Sequence, residues 1–169
     1  ILGGAAYLFS YLKLILIVIF VIAGFAAGSP QPISFAPAAS DLSLIISGAF
    51  AVNLAFVMYA YSGWNASTYI IGEIRDPNRT LPRALFAGVF IVSVLYVALN
   101  AVFLYTTPIE KFSGQIQVAT IVGDHIFGAR GGAIVGALIC VGLISSISAM
   151  MWIGPRVTMV MGEDFPLLQ

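Results

Sequence analysis

Four long apolar stretches constrain the fold of this chain more than any other feature. They run from about residue 7 to 27, 42 to 74, 85 to 106 and 131 to 153. A transmembrane helix needs about 20 apolar residues, and only helices or closed barrels satisfy the backbone inside a bilayer. The stretches lack the alternating pattern of barrel strands. The sequence therefore predicts an all-α integral membrane protein with four transmembrane helices, in one membrane unit over residues 1–169.

The composition excludes several functional classes. Of the 169 residues, 60% are hydrophobic and 8% are charged, with seven basic and seven acidic side chains, whereas a soluble domain is about 25% charged. We expect neither a soluble enzyme nor a nucleic-acid binder, since binding to phosphates requires a basic face. The single cysteine, Cys140, cannot form an internal disulfide, and His125 has no partners at metal-ligand spacing. No catalytic constellation, cofactor or metal site is predicted.

Arginines in the short loops predict the orientation in the membrane. Arg75, Arg79 and Arg83 lie between the second and third stretches, and Arg156 follows the fourth. Because cytoplasmic loops are enriched in Arg and Lys, both chain ends are expected in the cytoplasm of a cell-membrane protein. The half-polar segment 108–128 then lies outside, as a re-entrant or surface helix.

The second stretch is too long for one straight span, and its centre is polar. It reads Met58-Tyr59-Ala60-Tyr61-Ser62-Gly63-Trp64-Asn65-Ala66-Ser67. Ser, Gly and Asn weaken the helical hydrogen-bond ladder, and a broken helix inside the membrane is tolerated only where it is buried or lines a cavity. We predict a break near residues 61–65, which in a transporter exposes backbone groups to the substrate. The alternative is a kinked helix in which Ser62 and Gly63 serve packing alone.

Lys13 interrupts the first stretch. A lysine at mid-helix costs about 2.5–3.5 kcal/mol on insertion scales and indicates a functional site by default. Inside a bundle it can stand in for a bound cation or exchange a proton. The alternative is that its long side chain reaches back to the cytoplasmic interface.

Polar residues and prolines predict the ends of the helices. Ser40 or Asp41 is expected to cap the second stretch. In the connector 73–83 we expect one helix to stop before Pro77 and the next to restart at Pro82.

Three motifs resemble those of the amino acid permeases in the amino acid–polyamine–organocation superfamily, with the L-type amino acid transporters as the nearest branch. The sixth-helix signature is matched by residues 59–65, Glu73, Asp76-Pro77-Asn78-Arg79 and Leu81-Pro82-Arg83-Ala84. Phe9-Ser10-Tyr11-Leu12-Lys13-Leu14 resembles the start of the fifth helix, and Gly154-Pro155-Arg156-Val157 the end of the eighth. The resemblance implies helices five to eight of a longer carrier with a leucine-transporter-like inverted-repeat (5+5) fold. The remaining helices would lie outside this chain.

The resemblance also implies a substrate site at the break. Backbone carbonyls near Tyr59, Ala60 and Ser62 would hold the α-amino group of an amino acid, with Tyr59 as an aromatic gate. Trp64 and Asn65 would line the side-chain pocket. The full set of expected substrate-binding residues is Tyr59, Ala60, Tyr61, Ser62, Gly63, Trp64 and Asn65.

The resemblance places Lys13 where related sodium-coupled carriers hold a cation. Ser145, Ser146 and Ser148 are its expected neighbours on the eighth helix. We therefore expect secondary active transport of amino acids by alternating access, as an antiporter or symporter, with a proton or sodium ion as the candidate coupling ion. The alternative is a non-transporting scaffold or assembly subunit, in which the helix would run unbroken through Ser62 and Gly63.

Overall fold

All regular secondary structure in the described part of the chain is helical. The computed structural model describes residues 2–33 and 36–165. Within these residues the order is α1 (Leu2–Ala27), α2 (Ala39–Ile45), α3 (Gly48–Ala60), a 3-10 helix (Trp64–Glu73), α4 (Pro77–Thr106), α5 (Ile109–Phe112), α6 (Val118–Phe127) and α7 (Gly131–Asp164). The predicted all-α class is confirmed.

Three helices among the described residues are long and apolar enough to cross a membrane. They are Leu8–Ala27 of α1, Pro77–Thr106 and Gly131–Glu163 of α7. The second of the four predicted spans, 42–74, does not form one long helix. It is divided into α2, α3 and the 3-10 helix. The longest of these pieces, α3, has 13 residues. The Ser47 side chain caps the start of α3, and Gly63 adopts φ +95° before the 3-10 helix, which are the local features at the two divisions.

The start of the divided segment differs from the sequence expectation. The N-cap of α2 is Ala38 rather than Ser40 or Asp41. Asp41 lies in the first turn, and its Oδ2 accepts a hydrogen bond from the Ala38 backbone N–H at 2.8 Å. A true side-chain cap begins α3, where Ser47 Oγ accepts from the Phe50 N–H at 3.2 Å, which satisfies one of the unpaired donors of the first turn.

Two helices extend further than the prolines in the sequence suggest. The helix α4 begins at Pro77 rather than Pro82, and α7 continues through Pro155 to Asp164 rather than ending near residue 153. Proline is compatible with the first helical position because its missing N–H has no intrahelical partner there. Asp76, with φ +52°, precedes that position in the left-handed conformation that Asp tolerates.

The chain divides into two compact units. One consists of Ile1–Ile33 with Ile91–Gln169, and the other of Ser34–Phe90. We refer to the first as the Lys13 unit and to the second as the Gly63 unit. The helix α4 contributes its first part to the Gly63 unit and its last part to the Lys13 unit.

In the Lys13 unit, glycines let α1 approach α4 closely. Gly24 and Gly28 face Val102 and Thr106, which are both fully buried. A Cβ atom at either glycine would overlap these side chains. Small residues four apart are a common device for close helix packing in membranes, and this pair therefore holds α1 against α4.

The hairpin between α6 and α7 is also tightly packed. Gly128 turns the chain with φ +78°, and Gly123 and Gly131 meet without room for a Cβ atom. Asp124 Oδ1 accepts a hydrogen bond from the Gly132 N–H at 2.7 Å. The carboxylate thus satisfies an unpaired donor at the positive end of α7.

Candidate functional site

The α-helical backbone is interrupted between Ala60 and Trp64. The Tyr61 N–H still reaches the carbonyl oxygens of Val57 and Met58, at 3.3 and 3.2 Å. Gly63 then adopts φ +95°, a conformation that side-chain-bearing L residues rarely adopt. The interruption lies at the residues for which the sequence predicts a break.

Hydroxyl groups stabilise the 3-10 helix that follows. Ser67 Oγ donates to the Trp64 carbonyl at 2.7 Å, and Thr68 Oγ1 donates to the Asn65 carbonyl at 2.6 Å. Such side-chain bonds compete with the α-helical ladder, and 3-10 hydrogen bonds are themselves of poorer geometry. Ser67 belongs to the polar stretch that the sequence analysis singled out, whereas Thr68 does not, although a hydroxyl residue three positions after Asn65 was the available signal.

The expected substrate-binding residues form one continuous run in the Gly63 unit. Tyr59 and Ala60 end α3, Tyr61 is half-buried in the turn, and Trp64 and Asn65 begin the 3-10 helix. The side chain of Tyr59 is 80% exposed and that of Trp64 is 59% exposed. The run therefore combines two helix ends, a left-handed glycine and accessible aromatic side chains.

Trp64 and Asn65 have identifiable neighbours within the Gly63 unit. Trp64 lines a groove of about 340 Å³ together with Leu81, Phe86 and other apolar residues of α4. Asn65 Nδ2 donates a hydrogen bond to the Tyr69 hydroxyl at 2.9 Å. Tyr69 lies on the same 3-10 helix and was not among the residues expected from the sequence.

Lys13 bonds to one of the three serines expected beside it. Its Nζ donates to Ser146 Oγ at 2.9 Å and so joins α1 to α7. Ser145 is buried and Ser148 is exposed, and neither forms a hydrogen bond with Lys13 in the part of the chain that the structure describes. The Lys13 ammonium is thus directed towards α7.

The Lys13 side chain packs against Gly142, which lies one helical turn before Ser146 on α7. A Cβ atom at Gly142 would lie 3.6 Å from Lys13 Cε, in ordinary contact. Lys13 and Ser146 line a cavity of about 320 Å³ in the Lys13 unit. The other described lining residues, among them Phe20, Phe103 and Leu138, are apolar or glycine. The sequence reasoning missed Gly142, although its four-residue spacing from Ser146 places both on one helix face.

Acidic, histidine and cysteine side chains form no group of three that could hold a metal ion within residues 2–33 and 36–165. The polar chemistry near Lys13 is therefore that of an ammonium and a hydroxyl.

Comparison with known proteins decides the family. The family model described as amino acid permease matches residues 4–164, which is nearly the whole chain. The chain belongs to the amino acid permease family. This family is part of the amino acid–polyamine–organocation superfamily, as the three sequence motifs implied, and its members are transporters.

Individual relatives support the same assignment. The b(0,+)-type amino acid transporter 1 of Oryctolagus cuniculus is 33% identical over 122 residues, which cover 70% of this chain and 24% of the relative. The serine/threonine exchanger SteT of Bacillus subtilis (strain 168) is 27% identical over 115 residues, covering 68% of this chain and 26% of the exchanger. The large neutral amino acids transporter small subunit 2 of Homo sapiens is 33% identical over 79 residues, which cover 46% of this chain and 15% of that relative.

The chain matches about a quarter of the length of the first two relatives. No solved structure matches it significantly. A permease chain with three helices long and apolar enough to cross a bilayer is an integral membrane protein.

Proposed function

We propose that this permease chain contributes the substrate site of a carrier that moves amino acids across the cell membrane by secondary active transport. Substrate binds at the break formed by Tyr61, Ser62 and Gly63, and alternating access exposes it to each side in turn. The observation that carries this proposal is the left-handed Gly63, φ +95°, between α3 and the 3-10 helix. An interruption of this kind inside an apolar segment is typical of transporter binding sites.

The electrostatics of the two helix ends suit an amino acid. The carbonyl end of α3 carries partial negative charge, which attracts an ammonium group, and the N–H end of the following helix carries partial positive charge, which attracts a carboxylate. The carbonyls near Tyr59, Ala60 and Ser62 bind the α-amino group in this proposal. Tyr59 serves as the gate, while Trp64 and Asn65 contact the substrate side chain.

Lys13 supplies a fixed positive charge beside α7 in the proposed mechanism. Its ammonium, bonded to Ser146 at 2.9 Å, takes the place of a coupling cation, so transport couples to a proton or to exchange rather than to bound sodium. Ser145 and Ser148 line the same stretch of α7 in this proposal.

The proposed carrier includes helices beyond this chain, because the aligned residues cover only 24% and 26% of the matched relatives. In the proposed arrangement the divided segment 42–74 completes a fourth span within an inverted-repeat fold. Both ends of the chain then face the cytoplasm, and α5 and α6 lie outside. We assign the chain no enzymatic role.

The competing proposal is a non-transporting scaffold of packed helices. A scaffold would be expected to keep a continuous helix through Ser62 and Gly63. The interruption between Ala60 and Trp64 favours the carrier.

Uptake by the longest open reading frame that contains this sequence tests the proposal. We expect proteoliposomes of the purified protein to accumulate or exchange labelled amino acids. Gly63→Leu should lower uptake about tenfold or more, because a left-handed L residue costs about 1–2 kcal/mol and about 1.4 kcal/mol corresponds to a factor of ten. The added side chain also blocks access to the backbone.

The matched control is Gly88→Leu. Gly88 lies within α4 in the same unit, and a Cβ atom there meets no heavy atom within 4 Å. This variant should retain uptake near the wild-type rate. Equal uptake by the Gly63→Leu and wild-type proteins would contradict the proposed site, and a wild-type protein that transports no amino acid would contradict the proposed function.

A further inference from the structure

We propose that Tyr69 is a positioning residue that sets the side-chain selectivity of the carrier through Asn65. The inference rests on the proposed function, in which Asn65 contacts the substrate side chain. The observation that supports it is the hydrogen bond from Asn65 Nδ2 to the Tyr69 hydroxyl, at 2.9 Å.

Asn65 is held at two points. Tyr69 binds its side-chain amide, and the Thr68 hydroxyl binds its backbone carbonyl at 2.6 Å. The terminal torsion of an asparagine otherwise has a broad distribution, so an unrestrained amide exchanges its oxygen and nitrogen positions easily. The Tyr69 hydroxyl accepts from the nitrogen and thereby restricts the torsion to orientations in which one end of the amide stays on the hydroxyl and the other end points away from it.

An amide held at one end offers its remaining hydrogen-bonding atoms to the substrate in a restricted orientation. An asparagine amide has two N–H donors and one carbonyl acceptor, and Tyr69 takes one of the donors. The second N–H and the carbonyl oxygen can then bind a hydroxyl group on a substrate side chain. A site that hydrogen-bonds a substrate hydroxyl rejects the analogue without it much more strongly than an apolar pocket rejects a hydroxyl. The geometry thus points to a preference for hydroxyl-bearing amino acids over apolar ones of equal size.

Threonine and valine form the matched substrate pair for this preference, because they differ by a hydroxyl in place of a methyl group. We expect the complete carrier in proteoliposomes to transport threonine with a higher kcat/KM than valine. Tyr69→Phe should lower the threonine-to-valine ratio of kcat/KM about three- to tenfold, the range of one neutral hydrogen bond. Valine uptake itself should persist, since the ring and its packing are kept.

Tyr105→Phe is the control for removal of a tyrosine hydroxyl. Tyr105 lies on α4 in the Lys13 unit, with its ring 5.4 Å from that of Phe25. The threonine-to-valine ratio of this variant should equal that of the wild type.

A double-mutant cycle separates positioning from a merely structural role. Asn65→Ala should lower the threonine-to-valine ratio, and adding Tyr69→Phe to that variant should lower it no further, because residues acting through one hydrogen bond are non-additive. Additive effects, or an unchanged ratio in Tyr69→Phe beside a lowered ratio in Asn65→Ala, would overturn the role of Tyr69. An unchanged ratio in Asn65→Ala would remove Asn65 from the site and overturn the inference, while transport of other amino acids would leave the proposed carrier function standing.

Discussion

Lys13 shows most clearly how one residue can link packing to function. A charged side chain six residues into an apolar span is costly, and in this structure its ammonium bonds to the hydroxyl of Ser146 rather than remaining on its own helix. Gly142 lies against the lysine side chain, where an added Cβ atom would make ordinary contact. The family resemblance proposed three serines beside Lys13, and only Ser146 bonds to it. Which serine and which glycine lie against the lysine could not be predicted, because these depend on the rotation of α7 relative to α1.

Removing the Lys13 charge should change the coupling of transport. We expect Lys13→Ala to alter the dependence of amino acid uptake on pH or on the cation gradient, since the fixed charge that replaces a coupling cation is lost. Membrane insertion should be unaffected. Ser146→Ala should shift the same profile in the same direction but less, because the charge remains and only one hydrogen bond, of about 1.5–3 kcal/mol for a charged donor, is removed. Uptake measured across a pH series, with and without a sodium gradient, tests both variants.

Lys111→Ala is the control for loss of a lysine. Lys111 lies in the short helix α5 and is exposed, so its removal should leave the pH and cation dependence unchanged. A Lys13→Ala profile that coincides with that of the wild type would show that Lys13 serves anchoring alone.

At the scale of helices, the interruption between Ala60 and Trp64 lies where the sequence predicted a break, but the division between α2 and α3 was not predicted. The helices α1 and α4 end at Ala27 and Thr106, where the first and third stretches end. The start of α4 was placed too late because Pro77 suits the first position of a helix. The 3-10 helix was not predicted, since its stability comes from the hydroxyls of Ser67 and Thr68, which bond locally rather than following any apolar period.

The contact between α1 and α4 allows a direct test of helix packing. Gly24→Ala should destabilise the protein by about 1–3 kcal/mol, the typical cost of overpacking a buried contact, because the added Cβ atom overlaps Val102. Thermal unfolding of the detergent-solubilised protein measures the change. Combining Gly24→Ala with Val102→Ala should recover part of the loss, since the smaller partner makes room for the methyl group.

The control for this packing test is Gly88→Ala, in the middle of α4. A Cβ atom there meets no neighbour, and alanine is favoured over glycine in a helix by about 0.5–1 kcal/mol. The midpoint of unfolding should therefore stay the same or rise. A Gly24→Ala variant as stable as this control would contradict the close packing of α1 on α4.

At the scale of the whole molecule, composition and motifs were sufficient to predict the class of protein and its family, but not the geometry of a site. The apolar composition predicted a membrane protein, and the run Tyr59–Asn65 predicted a permease, which the match over residues 4–164 confirms. The local contacts of Tyr69, Thr68 and Gly142 could not be predicted in the same way. Their roles arise from hydrogen bonds and close contacts that depend on the backbone conformation around them.

Protection of the break by substrate tests most directly whether an amino acid binds at Gly63. Ser62→Cys places one reactive thiol at the interruption in a background of the complete carrier from which the exposed Cys140 and every cysteine outside this chain have been replaced by serine. We expect the transported amino acid to slow maleimide labelling of this thiol in the complete carrier, and an amino acid that is not transported to leave the labelling rate unchanged. Equal labelling rates with and without substrate, in a protein that still transports, would contradict binding at the Gly63 break.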